Sequence, residues 1–127
     1  MSYQSCLRAN CFAEQTYVIT GGGSGIGRCA AHELASLGAN VVLLGRNLEK
    51  LQRTSNEIIE DGGTADYFAL DIRDEEQVIT TVSAILQAHE HLHGLLNIAG
   101  GQFRAPLESI SKKGFESVVQ TNLVGGF

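Results

Sequence analysis

Residues 17–30 read Tyr-Val-Ile-Thr-Gly-Gly-Gly-Ser-Gly-Ile-Gly-Arg-Cys-Ala, an apolar run that breaks into glycines and resumes as helix-compatible sequence. Few local structures satisfy that pattern: a strand, a tight turn, then the first turn of a helix. The glycines let the backbone take positive φ and come close to a ligand, because no Cβ stands in the way. The helix start aims unpaired N–H groups and a partial positive charge over the turn. A pyrophosphate suits such a cradle.

The rest of the chain repeats the same unit. A first strand over Tyr17–Thr20 leads into a helix starting near Gly25, with Ile26, Ala30, Leu34 and Leu37 expected on the buried face and Gly38 as its stop. Val41-Val42-Leu43-Leu44 is apolar on both faces, as a strand covered by helices above and below must be. Asn47 caps a second helix, whose Leu48, Leu51, Ser55 and Ile58-Ile59 are expected to face the sheet until Asp61-Gly62-Gly63. Tyr67–Leu70 forms a third strand. Asp74 caps a third helix with Val78, Val82, Ile85, Leu86 and His89 as its apolar stripe. Leu95–Ala99 is the fourth strand, and a last helical segment follows Pro106, capped by Ser109 or Ser111. This β-α alternation predicts an α/β fold: a doubly wound Rossmann sheet of parallel strands in the order 3-2-1-4, with right-handed crossovers. Residues 1–15 carry no period and read as an N-terminal arm, so that 16–127 forms the dinucleotide-binding domain.

Composition excludes several classes. A net charge of −5 without basic clusters argues against nucleic acid or an anionic membrane surface as partner. No apolar run is long enough to span a bilayer, and Met1–Asn10 lacks the apolar core of a secretory signal. Cys6, Cys11 and Cys29 show no metal or redox spacing and read as reduced thiols, which fits a cytoplasmic protein. His89, His91 and His93 alternate at a helix end, where the helix dipole accounts for them without a metal.

The glycine spacing is specific. Thr20-Gly21 followed by Gly25-Ile26-Gly27 gives Gly-x-x-x-Gly-x-Gly, distinct from Gly-x-Gly-x-x-Gly, and no Gly-Lys-Ser/Thr of a nucleoside triphosphatase loop is present. This signature resembles the short-chain dehydrogenase/reductase family, and three later motifs agree with it in order. Asp71-Ile72 follows the third strand where the family has an Asp that contacts the adenine amino group. Asn97-Ile98-Ala99-Gly100 resembles the family's Asn-Asn-Ala-Gly beside the cofactor crevice. Asn122 resembles the helix Asn that holds a water in the family's proton relay. The resemblance therefore implies cofactor contacts from Thr20, Gly21, Ser24, Gly25, Ile26, Gly27, Asp71, Ile72, Asn97, Ala99 and Gly100, a supporting role for Asn122, no metal, and a homo-oligomeric full-length form. Gly100-Gly101-Gln102-Phe103 and the following Ser-Lys-Lys-Gly-Phe resemble the branch that reduces enoyl- or dienoyl-CoA thioesters in fatty acid metabolism.

Charge decides the cofactor expected. An NAD site places a carboxylate after the second strand to accept from the ribose 2′-OH. Gly45-Arg46 stands there, and a guanidinium pairs with a 2′-phosphate instead, so NADP(H) is expected over NAD(H). The family's Ser and Tyr-x-x-x-Lys do not occur in these 127 residues. Without that acid, charge developing on the substrate has no proton donor. The expected function is thus the cofactor-binding part of an NADP(H)-dependent oxidoreductase acting on acyl-CoA thioesters or a related carbonyl substrate, inactive as this fragment. The alternatives are a non-catalytic NADP(H)-binding module and a truncated product without function. Glu14 and Glu90 each stand where the family usually has Gly, which costs of order 1 kcal/mol if the turn needs positive φ.

Overall fold

A computed structural model of the chain describes residues 3–127. Its elements run β1 (Thr16–Thr20), α1 (Gly25–Ser36), β2 (Asn40–Gly45), α2 (Leu48–Glu60), β3 (Thr64–Ala69), α3 (Glu75–Ala88), β4 (Gly94–Asn97) and α4 (Lys112–Val119). A short 3-10 turn, Leu107–Ser109, precedes α4, and a π-helical turn, Gln120–Val124, follows it. The four strands are parallel in the order β3-β2-β1-β4, as the sequence pattern requires. Because the order reverses beside β1, the turn after β1 opens onto a crevice at the strands' carboxyl ends.

Side chains alternate across the sheet and fill two cores. Ile19, Val41 and Leu43 pack with Ala31, Ala35, Leu51 and Ile58 of α1 and α2 on one face. Val18, Val42 and Leu44 pack with Leu70 and Ile85 on the other. Of the expected stripe of α1, Leu37 is buried and Leu34 packs against the core, but the N-terminal end of the face is rotated: Gly27, Ala31 and Ala35 are buried, whereas Ile26 is 77% exposed. The physical reason is reach, since only small side chains let α1 lie as close to the sheet as the glycine turn demands. In α2, Leu51, Thr54, Ser55 and Ile58 are buried while Leu48 and Ile59 are exposed. In α3 only Ile85 is buried, with Val82 and Leu86 left exposed. Caps follow the sequence: Asn47 accepts from Lys50 N, Asp74 from Gln77 N, and Ser111, rather than Ser109, from Gly114 N.

The described part of the arm lies against α1 and α2; Met1 and Ser2 of the expected 1–15 segment fall outside the described residues. Tyr3 Oη and Ser5 Oγ both donate to Glu33, and Phe12 N donates to Leu37 O. Gln15 N closes a turn onto Phe12 O, and Glu14 in that turn has φ 64°. Glu90 is not among the positive-φ residues, so the strain expected at two sites falls on one. Replacing Glu14 by Gly should stabilise the protein by about 1 kcal/mol, since the left-handed penalty disappears. A thermal melt reads this as a rise of a few degrees, and an unchanged or lower midpoint contradicts it.

Strand β4 is shorter than expected, four residues paired among the described residues only to β1, with Leu95 62% exposed. Phe115 on α4 is 64% exposed. An apolar edge of this kind recruits other chains. Residues 1–127 expressed alone should self-associate, and light scattering showing a stable monomer would contradict that.

Candidate functional site: the crevice above the glycine turn

The carboxyl ends of β1, β2 and β3 and the loop after β4 surround a cleft of about 540 Å³. Of the expected site residues, Gly21, Ser24, Arg46, Asp71, Ile72, Ala99 and Gly100 line it. Thr20, Gly25, Ile26, Gly27, Asn97 and Asn122 do not line it. Several of these build its walls.

The floor is the glycine turn. Gly21 has φ 74°, and a Cβ there would sit 3.1 Å from Ala99 N, so the turn and the loop after β4 touch backbone to backbone. Gly21 N and Gly22 N both donate to Leu44 O, which ties the turn to β2. Gly27 closes the other side: its Cβ would lie 2.1 Å from Gly21 O. Ser24 is the N-cap residue of α1, yet its side chain makes no cap hydrogen bond and remains exposed in the cleft.

The hydroxyl of Thr20 holds the wall beside β4. Its Oγ1 accepts from Ile98 N and Ala99 N, both at 3.0 Å, and lies 3.1 Å from Asn97 Oδ1 as donor. Asn97 Nδ2 in turn donates to Gly126 O. One hydroxyl therefore fixes the end of β1, the end of β4 and, through Asn97, the segment after α4. Substituting valine at Thr20 keeps the shape but orphans two backbone donors, which should cost about 2 kcal/mol. Serine should recover most of it. A denaturation midpoint for the valine variant equal to wild type would refute this role.

Asn122 lies in the π-helical turn, a distortion frequent at functional positions. Its Nδ2 donates to Gly101 O at 2.7 Å and to Val118 O, and its Oδ1 accepts from Gly101 N at 3.1 Å. The side chain thus clamps the loop at Gly101, and a Cβ on Gly100 would push Asn122 Oδ1 out of that clamp.

The opposite wall is charged. Asp71 forms a two-pronged ion pair with Arg73, Nη2 to Oδ2 at 2.6 Å and Nε to Oδ1 at 3.0 Å. The Arg73 hydrogen bonds hold the Asp71 carboxyl down at about 2, with a smaller contribution from the Arg46 charge. Arg46 is exposed, and among the described residues it forms no ion pair. Sequence reasoning missed Gly23, Asn47, Lys50, Leu70, Arg73 and Thr121, which also line the cleft. Lys50 and Arg73 carried a legible signal, since each is a cation a few residues beyond a strand end at the crevice.

A larger hollow of about 710 Å³ lies between the arm, α1 and α2. Its Arg28 and His32 already meet Glu57 at 2.8 and 3.0 Å, so those polar groups are partnered. The three alternating histidines are separated by their contacts: His89 meets Asp66, His93 Nδ1 accepts from Thr16 N, and His91 is exposed. No cluster of three or more metal-ligating side chains occurs among the described residues, and no described helix is long and apolar enough to cross a membrane.

Known proteins resemble this chain in sequence and fold. The family described as short chain dehydrogenase matches residues 15–127. A protein of Bacillus subtilis named "Probable 2,4-dienoyl-CoA reductase" is 33% identical over 114 residues, 90% of this chain and 45% of that protein. The gluconate 5-dehydrogenase of Gluconobacter oxydans is 39% identical over 106 residues, 84% of this chain and 41% of that protein. The solved citronellol catabolism dehydrogenase of Pseudomonas aeruginosa superposes with a TM-score of 0.93 at 58% identity, over 98% of this chain and 51% of that one. The chain therefore spans less than half the length of these curated relatives. Solved members of this fold hold NAD in some cases and NADP in others. With a glycine turn, a switch-point crevice and a match over nearly its whole length, the chain belongs to the short chain dehydrogenase family.

Proposed function

We propose that this chain is the cofactor-binding part of an NADP(H)-dependent reductase acting on enoyl- or dienoyl-CoA thioesters or a related carbonyl substrate. Arg46 carries the cofactor half of this reading: it is a guanidinium without an ion-pair partner among the described residues, at the end of β2 where NAD-binding members need a carboxylate. In this reading Gly21, Ser24, Gly25, Ile26 and Gly27 would hold the diphosphate, Asp71 and Ile72 the adenine, and Asn97, Ala99 and Gly100 the nicotinamide end. Of these, Gly21, Ser24, Asp71, Ile72, Ala99 and Gly100 line the cleft itself. A bound nicotinamide cofactor supplies the hydride. The residues present bind and orient it, while Asn122 holds the loop at Gly101. The Ser, Tyr and Lys that would handle the proton do not occur in these 127 residues, so they are inactive alone. The full-length form is a cytoplasmic homo-oligomer in this reading.

Support for the thioester substrate comes from the dienoyl-CoA reductase relative and from the Gly100–Phe103 loop. The test is NADPH oxidation by the full-length protein with a 2,4-dienoyl-CoA. Turnover with a free alcohol or ketone but none with either thioester would overturn it. The 58% identity to the citronellol catabolism dehydrogenase favours a second reading, a dehydrogenase of that catabolism, which the same assay with citronellol-derived substrates distinguishes. A non-catalytic NADP(H)-binding module or a functionless truncated product would show no turnover with any of them.

A further inference from the structure

Cations dominate the adenosine side of the cleft. Arg46, Lys50 and Arg73 line it against one carboxylate, Asp71. Asp71 and Arg46 line the same cleft, and a free carboxylate there would compete for the guanidinium, since opposite charges in one cleft attract. The structure shows why Asp71 does not. Arg73 reaches back two residues and covers both oxygens of Asp71, with Nε 3.0 Å from Oδ1 and 3.2 Å from Oδ2, and Nη2 2.6 Å from Oδ2. Arg73 N also donates to Oδ1 at 3.0 Å, and Gln77 Oε1 accepts from Asp71 N, so the local turn is fixed from both sides.

We propose that Arg73 is a positioning residue for cofactor selectivity: its two-pronged bridge keeps Asp71 off Arg46 and leaves Arg46 free for a 2′-phosphate. This inference rests on the NADP(H) reading of Arg46. Removing the guanidinium releases Oδ2, while Oδ1 stays tied to the backbone of residue 73. The freed oxygen then turns to Arg46 and competes with the phosphate. The effect acts on the 2′-phosphate and not on the adenine, so it changes a ratio of affinities and not affinity alone.

The test uses the full-length protein and two small probes, adenosine 2′,5′-bisphosphate and 5′-AMP, measured by calorimetry. Wild type is expected to bind the bisphosphate more tightly. Arg73→Gln should shrink that preference by about tenfold, the scale of one charge-assisted hydrogen bond. Asp71→Asn added to Arg73→Gln should restore it, because the competitor has lost its charge, whereas Asp71→Asn leaves the adenine side equal for both probes. Arg73→Lys, a cation without the planar fork, should fall between. Arg73 is exposed, so a thermal melt unchanged from wild type shows that folding is not the cause. If wild type shows no preference, the NADP(H) reading fails and this inference with it. If wild type prefers the bisphosphate and Arg73→Gln keeps the full preference, only the positioning role is overturned. Loss of preference that Asp71→Asn does not restore would mean that Arg73 meets the phosphate itself, which also overturns it.

Discussion

Alanine at position 27 should destabilise the protein by about 3 kcal/mol, near the upper end of overpacking costs, and abolish measurable dinucleotide binding. The added methyl would lie 2.1 Å from Gly21 O and 2.7 Å from Gly21 C. Those are backbone atoms of the turn itself and cannot swing aside as a side chain would. Relief requires α1 to withdraw from the turn, which carries the helix N-terminus away from the cleft and loosens Ala31 and Ala35 from the sheet. Gly25 provides the control. It has φ 53°, but nothing lies within 4 Å of a Cβ built on it. Alanine there should cost only the left-handed penalty, about 1–2 kcal/mol. Chemical denaturation of both variants ranks them, and a Gly27→Ala midpoint equal to or above that of Gly25→Ala would sink the packing account.

Reversing the charge at Arg46 should reverse the cofactor preference. In wild type, NADPH is expected to bind more tightly than NADH, because the guanidinium is exposed at the cleft and has no carboxylate partner among the described residues. Arg46→Glu would take away the charge-assisted hydrogen bonds proposed for a 2′-phosphate and place a like charge against it. The expected loss for NADPH is about 100-fold, the scale of nearly 3 kcal/mol. NADH should lose little, since the new carboxylate can accept from its 2′-OH. Cofactor fluorescence titration of the full-length protein measures both constants. Tighter NADH than NADPH binding in wild type, or an unchanged ratio in the variant, would remove Arg46 from its assigned role.

Gly27 and Arg46 are visible in the sequence as residue types, but their surroundings are not visible with equal clarity. The order of the strands followed from alternation and from the apolar runs at Val41–Leu44 and Tyr67–Leu70. Caps at Asn47 and Asp74 were readable because a cap is a local hydrogen bond, made within three residues. The C-terminal part of the α1 face, Leu34 and Leu37, was readable too, but its N-terminal part was not. A 3.6-residue period places Ile26 and Ala30 as plausibly as Gly27 and Ala31, and hydrophobicity alone favours the larger side chain. Proximity to the turn decided it, and the small residues face inward. The exposed faces of α3 and β4 have a related cause: periodicity reports that a face is apolar, and not what covers it.

The sequence by itself determined the glycine cradle, the parallel α/β order and the family, because each depends on residue types at short, fixed spacings. It also placed Arg46 at a strand end where charge alone suggests the ligand. Tertiary structure decided the rest, because the contacts join residues far apart in the chain. Thr20 reaches Ile98 and Ala99, Asn97 reaches Gly126, and Asn122 closes on Gly101. None of these pairings has a spacing that could be read in advance. The same holds for the partition of charge in the cleft: Asp71 and Arg73 are two residues apart, but only the folded wall brings Arg46 beside them and makes their pairing matter.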